Sequence, residues 1–236
     1  MLEILSFGDA GYGDEMAMGA LVTVQLAVLG YLLALVLGTL LGIATAGHNR
    51  VVRALWRVYA SIFMGVPSLL VIFLFFFGGS QIVESLLTPL GWSGRVSVTP
   101  FMAGVIGLGM VYSAYMAEVV QGAIRNVPKG QGEAGSALAM PSWAVWWHVV
   151  RPQVIRLALP GMINLWIILL KDTAIVSLVG LNDIIAQAKI AAGSTRLPFV
   201  FYVAAALFFV GLSLATLRAS RRIEMRYDRG RRQASA

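Results

Sequence analysis

Three stretches of this chain carry no charged side chain and no histidine: Met16 to Gly47, Val58 to Val83 and Val96 to Ala117. Each exceeds the roughly 18–20 apolar residues that take a helix across the hydrocarbon core of a bilayer. A fourth, Leu197 to Leu217, has the same character, and a fifth, Leu157 to Leu170, is shorter. Lipid offers no partner to a backbone N–H or C=O, so runs of this length must close their hydrogen bonds internally, as helices. The expected class is an all-α membrane protein with five transmembrane helices, over about 16–47, 58–78, 98–118, 154–172 and 197–218, in a single domain covering 1–236. Charged residues make up 12% of the chain, half the usual share of about 25% in a soluble domain.

The net charge of +7 is placed by side. Arg50, Arg53 and Arg57 follow the first span; Arg125, Lys129, Arg151 and Arg156 follow the third; seven arginines from Arg218 to Arg232 follow the last. Lys and Arg are enriched in cytoplasmic loops, so this alternation predicts an outside N-terminus, an inside C-terminus and a bilayer, not nucleic acid, as partner. The N-terminus, with Glu3, Asp9, Asp14 and Glu15 and no base, does not read as a secretory signal. The chain has no cysteine, which excludes disulfide and thiolate chemistry.

Four features leave alternatives open. Gly30, Ala34, Gly38, Gly42 and Ala46 recur every four residues, a thin ridge that lets another helix approach, within one subunit or between two. Phe73, Phe75, Phe76 and Phe77 face lipid or packing partners. Glu118 reads as an interface acid or a pocket acid. The uncharged run of the fourth span is only about 21 Å long as a helix, and Lys171 and Asp172 interrupt the apolar sequence. A charge at a helix centre costs about 2.5–3.5 kcal/mol and a Leu or Ile returns only about 0.3–0.6. The pair therefore belongs in the outer part of the membrane, either facing a wet cavity together with Asn164, Thr173, Ser177, Asn182 and Asp183, or as a salt-bridged helix end at the headgroups.

No phosphate-binding loop G-x-x-x-x-G-K-[ST] is present. His48 and His148 lie in separate loops without a ligand set, so neither a metal site nor a catalytic relay is supported. The chain reads as no enzyme and as needing no cofactor. Energy for any transport must come from a partner or, for a secondary transporter, from an ion gradient. Secondary transporters usually show internal repeats, and none is clear here.

Residues 129–152 stand apart as a polar, helix-forming hairpin. Pro128 with Gly130 and Gly132 ends one element, "EAGSALAM" forms two turns with Glu133 in the first, Pro141 opens a second short helix and Pro152 ends it. Ala134, Ala137 and Leu138 give it a small apolar face, and Trp143, Trp146 and Trp147 suit a membrane interface. On physical grounds it is either an amphipathic linker or a docking site.

The spacing of that hairpin resembles the EAA loop of the membrane subunits of ATP-binding cassette importers: E-A-A, three residues, Gly, nine residues, I-x-L-P. Here Glu133, Ala134 and Gly135 open the pattern, and Val149, Arg151 and Pro152 close it. "RLALPGMINLWIILLKDTAIVSLVGLNDI" (156–184), "GVPSLLV" (65–71) and "YSAYMAEVVQGAIRNVPKGQ" (112–131) extend the likeness to the polar amino acid importer family, close to permeases for histidine/lysine/arginine/ornithine and opines. Departures are Gly135 for Ala, Ala139 for the motif glycine, Arg151 for Leu and Met64 for a common Arg. The resemblance implies a MetI-like permease fold in a bacterial inner membrane, N-terminus periplasmic and C-terminus cytoplasmic. It implies a second permease subunit, identical or not, two ATP-binding subunits and a periplasmic substrate-binding protein. Coupling would rest on Glu133, Ala134, Gly135, Ala139 and Pro152, with Glu118, Asn164, Lys171, Asp172 and Ser177 as candidates for the substrate pathway. Gly135 and Pro141 are the expected sources of freedom at a turn where Ala139 replaces glycine.

Overall fold

The computed structural model describes residues 3–8, 11–47, 49–90 and 94–232, with the main chain alone from 222 onward; His48 and the arginine side chains from Arg222 lie outside that description. Among the described residues there are helices and turns and no strands. Five helical segments are long and apolar enough to cross a membrane: Gly13–Ala46, Ser68–Leu87, Pro100–Asn126, Ser142–Val179 and Pro198–Arg221.

Helix α1 (Gly13–Ala46) lies along α4 (Pro100–Asn126). A Cβ on Gly38 would sit 2.5 Å from Met116 Cβ, one on Gly42 2.7 Å from Val120 Cβ, and Gly30 faces Leu108. These pairs share one offset of 78 residues, so the helices run parallel and in register. The ridge of small residues is thus a seam within the subunit, which settles one of the alternatives. Leu26, Ala27, Ala34, Leu108 and Met116 form the core beside it.

The uncharged run from Val58 is divided between two helices, α2 (Arg50–Gly65) and α3 (Ser68–Leu87). Pro67 lacks an N–H and disfavours helical geometry at Val66, and Val66 is extended, with ψ 131°. Asn49 caps α2, its side chain accepting from the N–H of Val51 and Val52. The two pieces follow α4 in the opposite sense: Trp56 clusters with Ala117, Tyr59 bonds to Met110, Ile72 touches Gly107 and Gly79 touches Val98. The aromatic run holds a π-helical turn, Leu74–Gly78; Phe73, Phe75 and Phe76 pack on the core while Phe77 is exposed. The expected loop after Gly78 is helical as far as Leu87, and Ser80 and Glu84 accept from the N–H of Val98 and Val96.

After α5 (Lys129–Ala137) and α6 (Ser142–Val145), Pro152 does not end a helix as expected. A π-helical turn (Trp146–Val150) joins α6 to α7 (Arg151–Asp172) without a break. The N–H of Arg151 bonds to Trp146, five residues back, and Pro152 follows this π turn, the kind of local adjustment by which a continuous helix admits a residue without an N–H. The chain then tightens into a 3-10 segment, Thr173–Val179, that ends at Gly180 with φ 90°. Helix α8 (Ile184–Thr195) was not expected from the apolar runs. Asp183 caps it, accepting from the N–H of Ala186 at 2.9 Å, and α8 packs between the start of α1 and Phe201 and Ala205 of α9 (Pro198–Arg232).

Candidate functional site

Four elements meet at Asp172, the last residue of α7. The Tyr112 hydroxyl, from α4, donates to Asp172 Oδ2 at 2.9 Å, and the Ser68 hydroxyl, at the start of α3, donates to the same oxygen at 3.4 Å. Among the described residues Oδ1 has no protein partner, and it is not sealed from solvent. The carboxylate borders a cavity of about 520 Å³ whose other walls include Met64, Pro67, Tyr115 and Ile168. No other lining residue is charged. The break between α2 and α3 borders this space, with Gly65, Val66, Pro67 and Ser68 all in its wall.

Position along the bundle follows from the register with α4. Tyr112 is twelve residues from Pro100 and fourteen from Asn126, so Asp172 stands about 18 Å along a helix of about 40 Å. The helical path continues beyond Asp172 for seven residues. The pairing expected of a salt-bridged helix end is not found among the described residues. Lys171 is not among the partners of Asp172 and lines a different cavity, with Phe209 and Val210 of α9.

The remaining pathway candidates scatter. Ser177 donates to the carbonyl of Ala174 and borders a third cavity with Asn182 and Lys189. Asn164 and Glu118 are exposed and line neither the Asp172 nor the Lys171 cavity. Glu118 does lie one turn from Tyr115 on the same face of α4. Sequence reasoning missed Tyr112 and Ser68, although hydroxyl groups inside charge-free runs were a visible signal.

In the hairpin, α5 begins at Lys129, so Gly130 and Gly132 lie inside the helix and Glu133 falls in its second turn. Glu133, Ala134, Ala137 and Leu138 are exposed, as are Trp143 and Trp147. Arg151 stacks over the Trp147 ring at 4.0 Å. Gly135 is buried, and a Cβ there would meet Val145 at 2.9 Å, so its small size serves close packing of α5 on α6 and not the turn. The turn is made by Ala139 itself, with φ 54°. The N–H of Ala139 bonds to Ser136 and that of Met140 to Gly135, the paired bonds that close a helix when the next residue is left-handed. A cleft of about 670 Å³ beside the hairpin is lined by Lys129, Glu133, Ser136 and Val145.

Residues 34–229 match the family described as "Binding-protein-dependent transport system inner membrane component". The chain is 39% identical to a nopaline transport system permease protein of Agrobacterium fabrum over 230 residues, 97% of this chain and 98% of that one. It is 37% identical to an arginine ABC transporter permease protein of Haemophilus influenzae over 210 residues, 89% of this chain and 92% of the other. Its fold superposes on a crystal structure of an amino acid ABC transporter with histidines with a TM-score of 0.78 at 27% identity, over 91% of this chain and 95% of that one.

Proposed function

We propose, from the premise that this chain belongs to the family of binding-protein-dependent transport system inner membrane components, that it forms the path by which cationic amino acids or opines reach the cytoplasm. The observation that carries the substrate class is the lone carboxylate of Asp172 in a cavity between α2, α3, α4 and α7. An ionised group within a membrane-spanning segment is tolerated only where it faces a wet or protein-lined space. Tyr112 and Ser68 hold one of its oxygens, leaving the other for a guanidinium or ammonium group. The relatives named for nopaline and arginine transport act on compounds that share a guanidinium, which fits such a carboxylate.

In this reading the exposed hairpin 129–152 docks into an ATP-binding subunit, two of which serve a pair of permeases. A periplasmic binding protein delivers substrate at the end of the bundle bearing α8, and the N-terminus is periplasmic. Closure of the ATP-binding pair draws the hairpins together and tilts the spans between inward- and outward-open states. No residue of this chain is catalytic; hydrolysis belongs to the partners.

Uptake of arginine, histidine and octopine into proteoliposomes tests the site. Asp172→Asn is expected to lower uptake of the cationic substrates roughly tenfold or more, about 1.4 kcal/mol, with assembly intact. Unchanged uptake of every substrate removes Asp172 from the path. Glu133→Lys is expected to suppress substrate-stimulated ATP hydrolysis, and normal turnover in that variant would sink the docking role of the hairpin.

A further inference from the structure

Among the described residues, the walls of the cavity at Asp172 hold one charge, and that charge is negative. An amino acid brings two charged ends, a cation and a carboxylate, and these walls have a charged partner for the first alone. The hydroxyl groups of Tyr112 and Ser68 each have one hydrogen to donate, and both donate it to Asp172 Oδ2. The only other side-chain donor in the walls is the neutral hydroxyl of Tyr115. The start of α3, where the helix dipole would favour an anion, already has Asp172 as its anion, 3.4 Å from Ser68 Oγ. Met64, in the last turn of α2, lines the cavity with a thioether, which donates no hydrogen bond and carries no charge. Two aromatic rings complete a surface suited to a cation: the centroids of Tyr112 and Tyr115 stand 6.0 Å apart, and Tyr115 is 38% exposed.

We propose that this cavity selects its ligand by the cationic end alone, and that Met64 is the residue that keeps it from requiring a carboxylate. The proposal rests on the reading of Asp172 as part of the path. It extends the substrate class to guanidinium and ammonium compounds that carry no carboxylate. Where a ligand does have an anionic end, that end lies outside these walls, away from the like charge of Asp172. At about 520 Å³ the cavity is within the range of small-molecule sites, with room for a guanidinium and its alkyl chain. A base in place of Met64 would reverse the rule, since it would bond a ligand carboxylate and repel a pure cation.

The test uses the transporter purified through this chain with its partner subunits, without the binding protein. It compares binding of three ligands: L-arginine; agmatine, which is arginine without its carboxylate; and L-citrulline, which keeps the carboxylate and has a neutral side chain. Binding that Asp172→Asn removes is assigned to this chain's cavity, which separates it from any site on a second permease subunit. In that fraction arginine is expected to bind no more than about threefold better than agmatine, less than one charge-assisted bond would give, and citrulline is expected not to bind. Met64→Arg is expected to shift the ratio towards arginine about tenfold or more. A larger preference for arginine in the wild-type transporter, or citrulline binding in that fraction, overturns the proposal whatever the variants do. An unchanged ratio in Met64→Arg, equal loss of both ligands included, overturns the role of Met64. If Met64→Arg does not assemble, Met64→Lys is read in its place. The two readings fail differently. Asp172→Asn that weakens none of the ligands overturns the place of Asp172 on the path and this proposal with it, whereas a strong preference for arginine that Asp172→Asn abolishes overturns this proposal alone.

Discussion

The α1–α4 seam and the α2–α3–α7 side of the molecule are built on opposite rules. Along the seam three glycines face Leu108, Met116 and Val120 at one constant offset, with neither a break nor a charge between them. On the α2–α3–α7 side the helical path is interrupted at Val66–Pro67, at the π turns Leu74–Gly78 and Trp146–Val150, and at the 3-10 segment Thr173–Val179. The charges Asp172 and Lys171 lie on that second side, on α7, while α4 of the seam walls the Asp172 cavity with Tyr112 and Tyr115 and the unbroken α9 walls the Lys171 cavity. Interruptions leave backbone groups to be satisfied by side chains and space to be filled by a ligand, which a transporter needs on one side only. The seam supplies a fixed frame against which the interrupted side can shift.

The sharpest way to break this comparison is to put a side chain into the seam. In Gly38→Leu the new Cβ would lie 2.5 Å from Met116 Cβ and 2.7 Å from the Ser113 carbonyl, and neither backbone can yield locally. Overpacking of this kind costs about 3 kcal/mol. Loss of monodisperse protein in detergent, or a marked fall in thermal unfolding temperature, is expected. Leu40→Ala, on the exposed face of α1, is the control and is expected to be nearly neutral. Wild-type behaviour of Gly38→Leu would show that the seam is not the frame.

The seam was readable because its signal is periodic: small residues every four positions can mean little else than a close helical contact. Its partner was not readable, since Met116 and Val120 look like any lipid-facing residues. The hairpin was visible as a polar island, but its helix limits were not, because glycine at 130 and 132 is tolerated where Pro128 starts the helix. Helix α8 was passed over although Asp183 followed by an apolar run is a start signal. The placing of Asp172 beside Tyr112 was beyond the sequence: it depends on the register of α7 against α4, sixty residues away in the chain.

Where α8 meets the start of α1, Asp183 is buried and its Oδ2 has no partner among the described residues. Burial pushes its carboxyl up to about 6, against the opposing pull of the N–H groups of Ala186 and Ile185. The ordinary value is about 3.9, so the fold prefers the protonated acid. That contribution is complete below about pH 4 and is lost as pH rises through about 6. Asp183→Asn keeps an effective cap and removes the titration. It is expected to be more stable than wild type above pH 6 by roughly 2 kcal/mol, and to flatten the fall between pH 4 and 7. Unfolding curves of the two proteins that stay parallel across pH 5 to 8 would show that Asp183 is hydrated and not part of the packed junction.

The smallest effect lies in the hairpin, where left-handed Ala139 invites comparison with Gly180 after the 3-10 segment. Gly180 ends the 3-10 segment at φ 90° without strain, while Ala139 ends α5 at φ 54° with a Cβ in the way. The left-handed conformation costs an L-residue roughly 1–2 kcal/mol, and the bonds from Ala139 to Ser136 and from Met140 to Gly135 hold it there. Ala139→Gly relieves that cost but loosens the unfolded chain, so the net gain is about 0.5–1 kcal/mol. Gly180→Ala should lose about as much as the first substitution gains. If coupling needs a hairpin that transmits force as one body, Ala139→Gly raises thermal stability slightly and leaves the ratio of ATP hydrolysed to substrate carried unchanged. A rise in that ratio would mean instead that the strained alanine keeps the two short helices from moving independently, and the hairpin would then belong with the shifting side of the molecule rather than with its frame.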